Sequence, residues 1–231
     1  MSTFISSLRG YAKAEPLALA AFAVLAGAVS GFAHIADEMS EAETRPFDEA
    51  ILHFFHPYAD PTQALGPHWL DFAALDLTSL GSTPVLLLIA LIVAGFLALH
   101  RRWTEMAALA FALIGAIVLS ETLKDVFERD RPPAIYRSFA VLNSSFPSGH
   151  ALLSAVLYPT LAAMLAGALE GRALRLYVLA VGGVLALIVG ATRVYLAAHW
   201  ASDVLAGWCA GAAWATLCWL GERAAQGRLM P

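Results

Sequence analysis

Six stretches of this chain are apolar enough and long enough to cross a bilayer: 16–36, 83–100, 103–123, 150–169, 174–195 and 201–220. A spanning helix needs about 20 mostly apolar residues. Hydrocarbon offers no water to backbone N–H and C=O groups, so hydrogen bonds within the segment must satisfy them. This requirement restricts the fold more than any other feature. It predicts an all-α integral membrane protein, a six-transmembrane-helix bundle formed by a single domain over residues 1–231. Composition points the same way: 59% of residues are hydrophobic, 14% are charged and the mean hydropathy is +0.68, whereas soluble domains carry about 25% charged residues. The net charge of −4 says little about partners, and nothing suggests nucleic acid. Arg9 and Lys13 precede the first apolar run as they would in a signal peptide. That run is longer than the usual signal core of about 7–15 residues, so an anchor that stays is expected.

The segment 37–82, between the first two spans, mixes acids (Asp37, Glu38, Glu41, Glu43, Asp48, Glu49) with aromatics (Phe47, Phe54, Phe55, Tyr58, Trp69, Phe72). Ile51, Phe54 and Phe55, and later Leu70, Ala73, Ala74 and Leu77, fall at helical spacing. Short amphipathic helices lying in the membrane interface are predicted there. Packing against the bundle is their plain role, and gating lipid access is the sharper one. Gly207 with Gly211, and Gly182 with Gly183, suggest close helix packing. Cys209 and Cys218 lie on opposite faces of one predicted helix and read as buried apolar thiols.

Orientation follows from basic residues. With six spans, both ends and two loops share one side, which holds Arg9, Lys13, Arg101, Arg102, Arg172, Arg175, Arg223 and Arg228. The other side holds Arg45, Lys124, Arg129, Arg131, Arg137 and Arg193, so the balance is 8 against 6. Three of those six belong to the motifs below; setting them aside leaves 8 against 3. Both termini are therefore expected in the cytoplasm.

Three short polar blocks interrupt the apolar pattern. The first is Lys124 with Arg131-Pro132, the second Pro147-Ser148-Gly149-His150, and the third Arg193, His199 and Asp203. Given the six spans, all three fall at one membrane face. Charged groups at such depth are costly and mark functional sites. Lys124 is a compact cation and Arg131 a fork matched to phosphate oxygens. Glu121, Asp125, Glu128 and Asp130 lie close enough to neutralise both. Ser148 can cap the fourth span, whose free N–H groups and dipole favour an anion. Gly149 permits close backbone approach, and His150 sits in the first turn. His199 and Asp203 are four residues apart and share a helix face. Asp203 can then accept from one ring nitrogen and leave the other unprotonated and aimed, the orienter–nucleophile arrangement. Arg193 adds a third cation. His34, His53, His56, His68 and His100 have no such partner in sequence and read as interfacial or packing residues. No Cys/His or carboxylate cluster suggests a metal.

Taken together, Lys-x6-Arg-Pro, Pro-Ser-Gly-His and Arg-x5-His-x3-Asp resemble the type 2 phosphatidic acid phosphatase superfamily in spacing and order. The resemblance covers 124–203 directly, and Thr78-Ser79-Leu80-Gly81-Ser82 extends it. Thr192 stands where the family usually has Ser. The resemblance implies a membrane hydrolase of lipid phosphates or isoprenyl diphosphates such as undecaprenyl diphosphate, in a bacterial plasma membrane. It implies that His199 attacks phosphorus to form phosphohistidine, that Asp203 orients it, and that His150 protonates the leaving oxygen and then activates water. Lys124, Arg131, Ser148, the Gly149 backbone and Arg193 would hold the phosphoryl oxygens. No metal or cofactor is expected; the partners are the bilayer and a lipid phosphate at the outer face. A lipid phosphotransferase would use the same residues. A vanadium haloperoxidase is disfavoured by the six spans. A lipid-phosphate transporter or binding protein would need the cations but not both histidines and Asp203.

Overall fold

The computed structural model describes residues 2–137 and 143–225. Its elements are α1 (Ser2–Ser40), α2 (Arg45–Phe55), α3 (His68–Ser79), α4 (Thr83–Leu99), α5 (Trp103–Phe127), α6 (Gly149–Ala168), α7 (Arg172–Tyr195) and α8 (Ala201–Ala225), with one 3-10 turn at Ala134–Tyr136. No strand occurs among the described residues. Arg228 lies outside them, as do the side chains of Arg9 and Lys13.

Among the described residues, five helices are individually long and apolar enough to cross a membrane: α1, α5, α6, α7 and α8. The expected second span, 83–100, falls short alone. At 17 residues, α4 rises about 25 Å, less than the roughly 30 Å hydrocarbon core. Joined to α3 across a 50° bend, it passes as one broken span. α5 runs four residues past its expected end at 123 and stops at Glu128, whose φ of 41° is left-handed. This extension keeps Lys124 in the last turn of the helix.

α6 is the central helix and the most buried of these five. It packs against α5, α7, α8 and α4, while α1 lies against α8. The core is apolar: Leu86, Leu109, Leu152, Val156, Leu157 and Val189. Lipid tails are as apolar as these side chains, so close packing rather than water exclusion holds the helices together. Glycines set the approach of α8 to α6. A Cβ on Gly207 would lie 2.7 Å from the Ser148 carbonyl oxygen, and one on Gly211 would lie 2.6 Å from that of Leu152. Gly182 likewise faces the Tyr158 carbonyl, but Gly183 faces open space. The predicted glycine pairing thus operates in α8 and on one of the two α7 glycines. Both cysteines are unpaired and half-buried.

Candidate active site

The three sequence blocks converge where α5 and α7 end and α6 and α8 begin. The α7–α8 connection is a tight turn. Ala198 N and His199 N both donate to the Arg193 carbonyl, at 3.0 and 3.2 Å. Ala197 takes the left-handed φ of 49° that this reversal requires. The Ser148 N–H donates to the Asp203 carbonyl at 3.0 Å, tying the start of α6 to the start of α8. Phe146 is fully buried between Phe32 and Phe127 and anchors the strand of loop leading into α6.

A cavity of about 220 Å³ forms at this junction, lined by Lys124, Arg131, Gly149, His150, Arg193 and His199 among others. Six of the eight residues expected from sequence therefore share one wall. The other two stand behind it. Ser148 is fully buried, and its hydroxyl caps α6 by accepting from Ala151 N at 3.5 Å. Asp203 is also fully buried.

His199 is held from both sides. Its Nδ1 lies 2.8 Å from the Ser145 carbonyl oxygen, which can only accept, so Nδ1 carries the proton. Arg131 Nη1 donates to Nε2 from 3.0 Å, so Nε2 keeps its lone pair. Asp203 was expected to receive Nδ1–H directly, but its Oδ2 lies 3.5 Å away and the Ser145 carbonyl is nearer. The carboxylate instead accepts from Ser145 Oγ at 2.5 Å and from Trp200 N at 2.9 Å. It thus caps α8 in capping-box fashion and fixes the residue whose carbonyl holds His199. Burial, with the cations Arg131 and Arg193 and against the pull of Asp203, pushes the His199 pKa down to about 4. The ring is therefore neutral near pH 7. Burial also lowers Arg131, to about 10, which leaves it charged.

The cations are similarly built in. Arg131 donates to Asn143 O and Oδ1, to Ser144 O and to Ala198 O at 2.6–3.1 Å. Lys124, nearly buried, bonds Glu121 at 3.1 Å; of the four acids suspected of neutralising the first block, Glu121 takes Lys124. Arg193 Nη1 donates to Thr78 Oγ1 at 3.1 Å, so the broken α3–α4 element reaches the site. A Cβ on Gly81, in the same break, would come within 3.1 Å of the His150 ring. The closer obstacle is Val189 Cγ1, so the glycine chiefly lets α7 pack against this break. Ser120, one turn before Lys124, adds a buried hydroxyl that has no hydrogen-bond partner among the described residues and lies on the cavity wall.

Sequence reasoning missed a second layer. Arg129 donates to Asp203 Oδ1 at 2.5 Å and, from its other nitrogen, to Asp48 Oδ2 at 2.7 Å. Asp48, on α2, also accepts from Ser202 N and Oγ at 2.8 and 2.6 Å. In the sequence Arg129 stands out only as a loop charge and Asp48 only as one acid among six. The sequence signal was the Glu-Arg-Asp-Arg-Pro run, whose two arginines have no visible difference in role. His34 and His68 do have carboxylate neighbours, Glu38 at 3.2 Å and Asp71 at 3.6 Å, but both rings are largely exposed. His56 is buried against the Leu52 carbonyl.

A buried neutral imidazole beside three fixed cations, in a chain of membrane-spanning helices, defines the class: an integral membrane phosphatase. The chain belongs to the PAP2 superfamily, whose family model matches residues 105–226. It is therefore a lipid phosphatase of PAP2 type, a phosphoric monoester hydrolase. It is 35% identical over 151 residues to phosphatidylglycerophosphatase B of Bacillus subtilis (strain 168), spanning 62% of this chain and 70% of that relative. Its fold matches the crystal structure of a transmembrane PAP2-type phosphatidylglycerolphosphate phosphatase from Bacillus subtilis with a TM-score of 0.78 and 26% identity, over 87% of this chain and 96% of that one. The Aquifex aeolicus LpxE structure matches at a TM-score of 0.55 and 21% identity, over 76% of this chain and 93% of that one, a likeness of fold.

Proposed function

We propose that this chain hydrolyses a lipid phosphate or an isoprenyl diphosphate at the outer membrane face, through a phosphohistidine at His199. The observation that carries this reading is the state of His199. Its Nδ1 proton is committed to the Ser145 carbonyl, and its Nε2 lone pair meets Arg131 in a cavity that Lys124 and Arg193 also line. A phosphoryl group entering there would draw Arg131 onto its oxygens and release Nε2 for in-line attack. Phosphoryl transfer needs mostly positioning and neutralisation of the equatorial oxygens. Lys124, Arg131, Arg193 and the Gly149 N–H supply both, with Ser148 holding the α6 terminus they face. His150 lines the same cavity, which supports the reading in which it protonates the leaving oxygen and then activates water. Asp203 fixes Ser145 and balances the charge that builds on His199.

With three fixed cations in the place of a divalent ion, turnover should survive chelators; loss of activity in EDTA would refute that part. The α3–α4 pair is assigned as the second of six spans and α2 as an interfacial helix. The excess of basic residues on the opposite side supports cytoplasmic termini and a site facing outward. The names of the similar Bacillus proteins support a glycerophospholipid phosphate among the substrates.

The decisive experiment gives purified His199→Ala and His150→Ala variants a panel of lipid phosphates. Phosphate release retained in both would refute the mechanism. Loss of release with retained lipid binding would exclude a pure transporter, and transfer to an added lipid alcohol in place of water would indicate a phosphotransferase. Side of action can be read after replacing both native cysteines, by labelling Asp60→Cys, an exposed position; reaction only from the cytoplasm would reverse the orientation.

A further inference from the structure

Among the described residues, two buried polar groups beyond the catalytic cluster have no hydrogen-bond partner: Nε and Nη1 of Arg137, and the Ser144 hydroxyl. Native proteins leave few buried donors unpaired, and each one calls for a reason. Both of these line a second cavity of about 730 Å³. This outer cavity adjoins the catalytic one: Lys124, Arg131 and Asn143 line both. Arg131 is thus a shared wall, with its guanidinium already spread between Asn143, Ser144 and Ala198 carbonyls and His199. Arg137 has no such ties, yet it lies close enough for its charge to act on Arg131.

We infer that the outer cavity is a second anion subsite, in which the Arg137 guanidinium and the Ser144 hydroxyl receive a second anionic phosphorus group attached to the scissile phosphate. This deepens the proposed function and rests on it. A guanidinium pairs phosphate oxygens in a fork, and an anion is the ligand that satisfies it best. Asp125, Glu128 and Asp130 also line the cavity, so its field is not uniformly positive. Selection there comes from aimed donors, which an uncharged headgroup would leave unpaired. Two substrate chemistries supply the group: the inner phosphate of an isoprenyl diphosphate, one bridging oxygen away, and the phosphodiester of phosphatidylglycerol phosphate, one glycerol away. Phosphatidic acid supplies neither.

The test measures kcat/KM for phosphatidic acid, phosphatidylglycerol phosphate and undecaprenyl diphosphate in wild type, R137Q, R137K and S144A. In R137Q the ratio of a doubly anionic substrate to phosphatidic acid should fall about tenfold or more, the loss of one charge-assisted hydrogen bond. S144A should lower it by roughly threefold. R137K keeps the charge without the fork and should recover part of the ratio. A fall confined to the diphosphate assigns the subsite to an adjacent phosphate; a fall confined to phosphatidylglycerol phosphate assigns it to the diester. An unchanged ratio overturns the inference, whether the variants lose all activities equally or none. If R137Q does not fold, R137K and S144A carry the same test. A binding arm separates this inference from the proposed function: pyrophosphate should protect wild type from thermal unfolding at about tenfold lower concentration than orthophosphate, and Arg137 variants should narrow that gap. Equal protection in wild type excludes an adjacent phosphate and, with an unchanged ratio for phosphatidylglycerol phosphate, overturns the subsite, while absence of phosphate release from every lipid overturns the function.

Discussion

Arg129 is the side chain on which most of the hidden architecture turns, and Arg129→Met removes its charge while keeping an unbranched apolar stem. The wild-type guanidinium bridges Asp48 and Asp203, whose side chains are both 0% exposed, while its own is 14% exposed. It also bonds Ser202 Oγ at 2.8 Å and Thr44 Oγ1 at 3.2 Å. Removing one partner from a buried ion pair costs about 3–5 kcal/mol, because the remaining charge stays desolvated. Each carboxylate here keeps two further donors, Ser145 Oγ and Trp200 N for Asp203 and Ser202 N and Oγ for Asp48. The lower end, about 3 kcal/mol, is therefore expected. For a chain of this size that corresponds to a melting temperature lower by roughly 6–12 °C. Arg129 is absent from the wall of the inner cavity and, although it borders the outer one, both its terminal nitrogens are committed to Asp203 and Asp48, so kcat should fall about tenfold or more with a smaller change in KM. Asp48→Asn should move both readouts in the same direction. The double variant should lose less than the sum of the singles, by about 1 kcal/mol or more, since the two groups share one network. The assay is thermal unfolding in detergent alongside steady-state kinetics. A shift below about 2 °C for Arg129→Met with normal kcat, or strict additivity in the double variant, would refute the reasoning.

Other consequences follow from the same geometry. With His199 held at about 4 rather than 6.5, its acid limb in kcat/KM should lie near pH 4–5, and an enzyme limb near 6.5, distinct from the second ionisation of the substrate phosphate at about 6, would contradict the buried neutral ring. The same depression makes unfolding take up a proton between these values, so the His199 contribution to stability is complete above pH 6.5 and declines as pH falls toward 4; melting temperatures across that range would check the sign. Ser145→Ala keeps the carbonyl that holds Nδ1 but loses the hydroxyl bonded to Asp203, so kcat should drop by roughly three- to tenfold, less than for Asp203→Asn. Gly211→Val places its Cβ against the Leu152 carbonyl, which cannot step aside, and should destabilise by about 1–3 kcal/mol or more, whereas Gly183→Ala, facing open space, should not; equal melting temperatures for the two would refute the packing argument.

Much of the site was legible in sequence because its chemistry resides in residue types that a membrane helix does not otherwise tolerate. Lys124, Arg131, Arg193 and the His199–Asp203 pair stand out against apolar surroundings; helical spacing predicts one shared face for the last two, but α8 begins only at Ala201 and His199 lies in the turn before it. What was not legible depended on contacts between segments distant in the chain. Ser145 holds His199 from 54 residues away, and Asp48 reaches Arg129 across 81. Neither residue differs in type or local pattern from its neighbours. Ser148 is legible from its position as the cap of α6, which it is; its role as a phosphate ligand is implied only by the family resemblance, and its hydroxyl is fully buried behind the cavity wall. The second span was read as one uniform apolar run; its length deficit and the bend into α3 appear only when the hydrogen-bonded rise of each helix is laid out.

The sequence by itself determined the solvent, the helical class and the chemical inventory. Each follows from local composition: apolar length sets membrane residence, and costly charges at helix ends mark the site. Tertiary structure alone decided which nitrogen of His199 is free, which acid supports which cation, and that α2 and the α3–α4 break complete the site. Those outcomes are set by distances of about 3 Å between groups far apart in the chain, where hydrogen bonding and ion pairing decide between partners that the sequence leaves equivalent.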